Sequence, residues 1–258
     1  MFARMKFPAR LSGSIAAAAL LIALAGVEPA RLPGQDGAGA PTGPSAAPSG
    51  APPRGFCDLA QRVPGVLVDL RYFKADNFVG QRITGYEADR CIVSNEVADA
   101  LANVQLDLNR FGFGLKVFDG YRPQRAVDHF VRWTANGDQS TKREYYPHIA
   151  KKDLIAGGYI AAQSGHSRGS AVDVTLVALS RTTGNVGAPE LDMGTRFDFF
   201  GTASQSDFPN LTTEQRKNRL LLRTVMEKHG FDHLPGEWWH FSLKLEPYPD
   251  TYFDFPIR

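Results

Sequence analysis

Residues 54–258 read as one domain that mixes strands and helices, the α+β class, and three observations support this. Residues 66–72, 115–118 and 171–176 are short runs rich in Val, Leu and other strand-compatible side chains. Apolar residues at helical spacing follow Ser94, Pro123 and Thr212. No internal repeat divides the roughly two hundred residues, which suffice for one sizeable core. These observations are consistent with the class, and by themselves they do not choose an arrangement of the sheet.

Two segments of different character precede that domain. Residues 1–10 carry Arg4, Lys6 and Arg10 and no acid, residues 15–25 are almost purely Ala, Leu and Ile, and Ala23-Leu24-Ala25 precedes Gly26. A basic start, a short apolar run and a small-x-small site mark a secretory signal peptide, placed at residues 1–25. An exported, periplasmic protein is therefore expected. The apolar run is shorter than the ~20 residues that span a bilayer, and no cysteine follows it for a lipid anchor. No stable membrane insertion is expected after cleavage. Losing three basic residues takes the formal charge from +2 to −1, which gives no electrostatic ground for a nucleic-acid or anionic-membrane partner. Residues 26–53, rich in Gly, Ala, Pro and Ser, cannot offset their ordering entropy by burial and read as a disordered linker.

Within the domain, residues 66–72 alternate well enough for an early strand, and 74–80 are loop-like. Ser94 suits the N-cap of a helix in which Val97, Leu101, Val104 and Leu108 recur at helical spacing, ending near Gly112. Residues 115–118 form a strand running into Asp119-Gly-Tyr-Arg122-Pro123. Pro123 fits the first position of the next helix, with Val127, Phe130, Val131 and Thr134 on one face and Gly137 as its stop. Residues 138–163 are polar and broken by Pro147 and Gly157-Gly158, with a short helix expected over 150–156. Residues 181–188 are an insertion long for a hairpin connection. Thr212-x-x-Gln215 is a capping box opening a helix through Leu220, Leu221, Val225 and Met226 to Gly230, and 232–236 read as a loop.

The chemistry is concentrated in two blocks, Ser164-Gly-His166-Ser-Arg-Gly-Ser-Ala-Val-Asp173 and Glu237-Trp-Trp-His240. His166, Asp173 and His240 supply two imidazoles and a carboxylate, the three-ligand set of a catalytic zinc site with an open fourth position, and Glu237 is left to act as a base. Positions seven apart lie roughly 23 Å apart along a strand and about 10 Å apart along a helix, too far to share one ion at about 2 Å. The chain must therefore fold over at Ser167-Arg168-Gly169 before a strand carries Asp173. Trp238 and Trp239 supply apolar bulk beside the base. His148 reads as a loop residue and His229 as a helix-end cation, while spacing alone leaves His233 a rival to His240. Cys57 and Cys91, the only cysteines, lie outside both blocks and cannot complete a closed structural zinc site. Export permits a disulfide between them, and the sequence leaves that pairing open.

The blocks GHSRGSAVDVTL and EWWHF, together with DGYRPQRAV at residues 119–127 and the later EPYPDTYFDFP, closely resemble the VanX-type D-alanyl-D-alanine dipeptidases. The resemblance runs from about Phe56 onward, in order and with matching spacing. It implies a single α+β domain with a central, mainly antiparallel sheet flanked by helices and a zinc cleft, as in hedgehog-like D,D-peptidases. It assigns one zinc per chain to His166, Asp173 and His240, general base catalysis to Glu237, and stabilisation of the reacting carbonyl oxygen to Arg122. Tyr72, Ser164 and Asp198 become substrate contacts, with Asp198 toward the ammonium group.

The implied reaction is hydrolysis of the free dipeptide D-alanyl-D-alanine to two D-alanines, in salvage of peptidoglycan dipeptide. Gly165 departs from the pattern, since serine is common there, and a looser hydrogen bond to substrate is the expected result. Two other functions are compatible with the blocks: a zinc carboxypeptidase acting on peptidoglycan stem peptides, and a non-catalytic zinc-binding module. The joint presence of Glu237 and Arg122 counts against the second.

Overall fold

The computed structural model describes residues 51–179 and 187–258, which lie within one compact unit, Ser45–Arg258. The expected signal peptide, the linker as far as residue 50 and most of the 181–188 insertion fall outside the described residues. Among the described residues the chain order is β1 (Phe56–Asp58), α1 (Leu59–Arg62), β2 (Leu67–Val68), β3 (Ile92–Ser94), α2 (Asn95–Asn109), β4 (Phe113–Asp119), α3 (Gln124–Thr134), α4 (Lys142–Tyr145), β5 (Ala171–Ala178), α5 (Thr213–Lys228), β6 (Phe231–Leu234) and β7 (Glu237–Leu243). β1 and β3 form an antiparallel pair. The main sheet has the order β2-β4-β5-β7-β6, with β2 parallel to β4 and every other neighbour antiparallel. The α+β class and the mainly antiparallel sheet are as expected.

β5 is central, and seven of its eight residues are buried. Strand periodicity sends Val172, Val174 and Leu176 to one face and Asp173 and Thr175 to the other, so one acid is carried into the interior by an otherwise apolar strand. α2 packs on β4 through buried Leu101, Val104 and Leu108, and Ser94 caps it by accepting the Val97 N–H at 3.4 Å. α5 packs on β6 through Leu222, Val225 and Met226, and its capping box closes with Thr212 Oγ1 accepting from Gln215 N at 3.2 Å and Gln215 Oε1 accepting from Thr212 N at 3.0 Å. Among the described residues no helix is long and apolar enough to cross a membrane.

Four local expectations change. Only Leu67–Val68 of residues 66–72 is a strand, because Asp69, Arg71, Lys74 and Asp76 tie the following turn together with ion pairs. Pro123 is the residue before the helix rather than its first, and that helix stops at Thr134, short of Gly137. Residues 150–156 hold a single 3-10 turn, Lys151–Asp153, while α4 was not foreseen. Residues 232–236 are not a plain loop: β6 and β7 form a hairpin, since burying Phe231, Trp238, Trp239 and Phe241 against the sheet outweighs the turn-like composition.

A late segment straps the functional end of the sheet. Phe253 N donates to Ser167 O at 2.8 Å, and Gln124 N donates to Phe253 O at 3.0 Å. Arg125 and Asp254 form a two-pronged ion pair. Phe255 stacks on Tyr121 at 4.0 Å between centroids and accepts that tyrosine's hydroxyl proton, and Glu87 N donates to Ile257 O.

Candidate active site

Register brings the first two site residues together: Asp173 of β5 lies directly opposite His240 of β7. His166 arrives from a 3-10 turn, Gly165–Arg168, capped by Ser164 Oγ accepting the His166 N–H at 3.3 Å. Gly169 ends that turn with φ 73°, and a Cβ there would lie 2.3 Å from Phe56 Cε1, so glycine is required on both counts. The chain folds over between His166 and Asp173 as the spacing demanded. His166 Nε2, Asp173 Oδ1 and His240 Nδ1 form a triangle with edges of 3.3, 3.1 and 3.2 Å. Tetrahedral ligands at about 2.0–2.1 Å from zinc stand roughly 3.3–3.4 Å from each other, so the donor set and its spacing fit that ion.

The surrounding hydrogen bonds fix which ring nitrogen is offered. His166 Nδ1 donates to Gly120 O at 2.7 Å, leaving the Nε2 lone pair directed at the triangle. His240 Nε2 faces Ser242 Oγ at 3.3 Å, leaving Nδ1 inward. Burial alone would raise the Asp173 carboxyl, but the two imidazoles hold it well below the usual carboxylate range. Burial alone would lower the His240 imidazole, and Asp173, with Glu237 behind it, raises it instead. Gly120 has no room for a side chain: a Cβ would lie 2.6 Å from Ile92 O.

Glu237 opens β7, its Oε2 4.0 Å from His240 Nδ1 and its side chain 21% exposed. Burial is the main reason its pKa rises to about 7, with Asp173 adding to the shift and His240 and Arg122 opposing it. Arg122 follows β4 and spans two acids, Nε donating to Asp119 Oδ2 at 2.9 Å and Nη2 to Asp173 Oδ2 at 3.3 Å. Its guanidinium lies over the rings of Tyr72, at 4.9 Å, and Phe130, at 5.2 Å.

Asp198 is buried and takes the Tyr72 hydroxyl at 3.0 Å. Burial first, then the Asp173 charge, pushes its pKa well above the usual range. It is the single non-glycine residue with positive φ among those described, at 61°, a conformation that aspartate tolerates better than most. His166, Asp173, His240, Glu237, Arg122, Tyr72, Ser164 and Asp198 all line one cavity of about 210 Å³, with Phe200 and Trp239 among its apolar walls.

Other candidates fall elsewhere. His229 Nε2 pairs with Asp107 at 2.8 Å and His233 Nδ1 with Glu227 at 2.9 Å, and His148 is exposed in its loop, so none joins the triangle. Cys57 and Cys91 are free thiols, and burial raises the pKa of both. Of the tryptophan pair only Trp239 walls the cavity, while Trp238 turns away and donates to Thr195 Oγ1 at 2.8 Å.

Gly165 lines the cavity, and a Cβ there would meet Ala171 Cβ at 3.3 Å, Arg168 Nη2 at 3.5 Å and Ser242 Oγ at 3.6 Å. Sequence reasoning passed over Asp119, Gly120, Tyr86 and Ser242. Asp119 carried a usable signal, an acid three residues before the arginine in the same block.

Residues 53–258 match the peptidase M15 family, described as D-Ala-D-Ala dipeptidase. D-alanyl-D-alanine dipeptidases of Enterococcus faecium and Enterococcus faecalis are 42% and 44% identical over 205 and 204 residues, covering 79% of this chain and 98% of each relative. A solved vancomycin-resistance D,D-pentapeptidase, VanY, in complex with Zn(II), aligns more distantly, at 13% identity and a TM-score of 0.36 over 62% of this chain and 77% of that one. Because the two enterococcal relatives align nearly end to end and the family match spans all the site residues, the chain belongs to the peptidase M15 family of D-Ala-D-Ala dipeptidases.

Proposed function

We propose that this chain is a zinc metallopeptidase that hydrolyses free D-alanyl-D-alanine to two D-alanines. The observation carrying the reading is the triangle of His166 Nε2, Asp173 Oδ1 and His240 Nδ1, which opens onto a small cavity holding Glu237 and Arg122. The three residues would hold one zinc ion per chain, which when bound supplies Lewis-acid polarisation and a water of lowered pKa.

Glu237 takes the proton of the attacking water and later returns it to the leaving amine. Its placement next to His240 and its raised pKa suit both halves of that task. Arg122, charged at every working pH, directs donors at the oxygen on which negative charge develops. Asp198 receives the substrate ammonium, and the incoming cation restores the ionised form that burial disfavours. Tyr72 fixes Asp198 through its hydroxyl, and Ser164 offers a hydroxyl at the cavity wall.

At about 210 Å³ the cavity is smaller than the roughly 300–1,000 Å³ of sites for drug-sized ligands, which favours a free dipeptide over a stem peptide. A periplasmic role in salvage of wall-derived dipeptide is supported by the basic and apolar character of residues 1–25.

The test is alanine release by the zinc-loaded protein from D-Ala-D-Ala, beside L-Ala-L-Ala and a pentapeptide ending in D-Ala-D-Ala. Release from the free D,D-dipeptide alone supports the proposal. Release from the pentapeptide makes the protein a wall carboxypeptidase, and no release with zinc bound makes it a binding module.

A further inference from the structure

We propose that Asp119 is a positioning residue that holds Arg122 in its working orientation and keeps it from collapsing onto the metal ligand Asp173. The proposal rests on the dipeptidase reading for what Arg122 does, and on geometry for where Arg122 is.

Asp119 is the last residue of β4 and has no exposed surface. A register shift between Val117 and Asp119 sets it opposite Asp173 on β5, so two carboxylates face each other across neighbouring strands. Such a pair is unfavourable unless something cationic lies between them, and Arg122 does: Nε on Asp119 Oδ2 at 2.9 Å, Nη2 on Asp173 Oδ2 at 3.3 Å. The other Asp119 oxygen accepts the buried Tyr86 hydroxyl at 2.6 Å, which prevents the carboxylate from turning. His166 Nδ1 lies 3.5 Å from Oδ2, so the same acid also backs a ligand whose principal acceptor is Gly120 O.

A fully buried carboxylate is costly to keep, and an apolar side chain would pack this strand end without that cost. What an apolar residue would not do is compete with Asp173 for the guanidinium. The rings of Tyr72 and Phe130 confine Arg122 to a narrow range of tilt but cannot choose its direction. With Asp119 uncharged, the nearest anion for the guanidinium fork is Asp173, and bidentate pairing there draws donors away from the substrate oxygen and occupies a ligand carboxylate. Asp119 therefore acts through Arg122, and its two contacts divide the guanidinium between support and catalysis.

The experiment is Asp119→Asn, which removes the charge at nearly constant volume. Kinetics are measured on D-Ala-D-Ala at saturating zinc, beside Arg122→Lys and the double variant. The result expected is a fall in kcat of about 10–100-fold with KM within about threefold, as for residues that orient an active group. Arg122→Lys should then cost much less in the Asp119→Asn background than in the parent. The proposal is overturned by an unchanged kcat at saturating zinc or by additive losses in the double variant.

A second readout needs no turnover: the 15N signal of the Arg122 Nε–H, assigned by its loss in Arg122→Lys, should exchange slowly in the zinc-loaded parent, where Asp119 accepts it, and fast in Asp119→Asn. Persistence of slow exchange overturns the proposal, even if the parent cleaves none of the dipeptides and the dipeptidase reading itself fails. Should Asp119→Asn not fold, Tyr86→Phe carries the test. It frees one oxygen of Asp119 with no change of charge; a lower kcat with KM and zinc affinity unchanged supports the proposal, and a parental kcat overturns it.

Discussion

Asp173 and His240 stand directly opposite one another on antiparallel strands, with Oδ1 and Nδ1 3.1 Å apart. Two of the three candidate ligand atoms are thus set by strand register, and a slip of one residue would send His240 to the other face of the sheet.

Removing the metal should therefore be felt by the fold as well as by the reaction. A ligand present at about 1,000 times its Kd adds about 4 kcal/mol to stability, equivalent to about 8–16 °C in Tm for a domain of this size. Thermal melts with zinc and with a chelator measure the difference. Asp173→Asn should abolish most of it and weaken zinc by more than about 100-fold, beyond the 10–100-fold typical of supporting residues.

The reaction should show an acid limb in kcat/KM. Glu237 must be ionised to accept a proton, so the rate falls as pH drops through its pKa. Burial is the main cause that raises that pKa to about 7, and a neighbouring dication would favour the carboxylate, so the limb should lie below 7 with zinc bound. A pH profile from 4 to 9 with its acid limb above 7 would contradict this account.

Deleting residues 253–258, of which only Ile257 is fully buried, should still cost activity. It removes the acceptor for Gln124 N beside Arg122, the donor to Ser167 O beside His166, and the ring stacked on Tyr121. The expected outcome is loss of at least about 10-fold in kcat with a lower Tm, read by dipeptide hydrolysis and calorimetry.

Thr212→Ala makes a contrasting case. It breaks the capping box of α5, whose residues do not line the cavity, and should cost about 1 kcal/mol, or about 2–4 °C in Tm, with kcat and KM unchanged.

Gly165→Ser should be tolerated. Its Cβ would meet Ala171 and Ser242 at ordinary to tight distances, so a stability loss under about 1 kcal/mol and a KM within about twofold are expected. A large change in KM would mean that the hydroxyl reaches substrate after all.

Much of this was legible from local chemistry, and the limits have physical causes. Ser94 and Thr212 announced their helices because a cap is a local hydrogen bond between residues three apart. β5 announced itself because a strand covered on both faces is largely apolar, here interrupted by Asp173 and Thr175. β6 and β7 did not, because their pairing is decided by which neighbour covers Trp239 and Phe241, and nothing within residues 231–243 records that neighbour. The ligand types and their open fourth position followed from the residues present. Their meeting point did not, since it depends on β5 and β7 being adjacent, and there the family blocks carried the inference. Asp119 was missed because an acid at a strand end is ordinarily solvent-facing, its spacing from Arg122 was not used, and the irregular register that faces it to Asp173 is not recorded locally.

The strap has a further consequence for a chain made from one end to the other. Residues that complete the cavity are contributed from Tyr72 through His240, and those that lock its loops come later still, up to Ile257. While synthesis is in progress, His166 and Arg122 emerge without the segment that holds their backbones in place. Full activity is thereby expected only once residues 253–257 can dock, so a chain that has not reached them should be a weaker hydrolase than the whole.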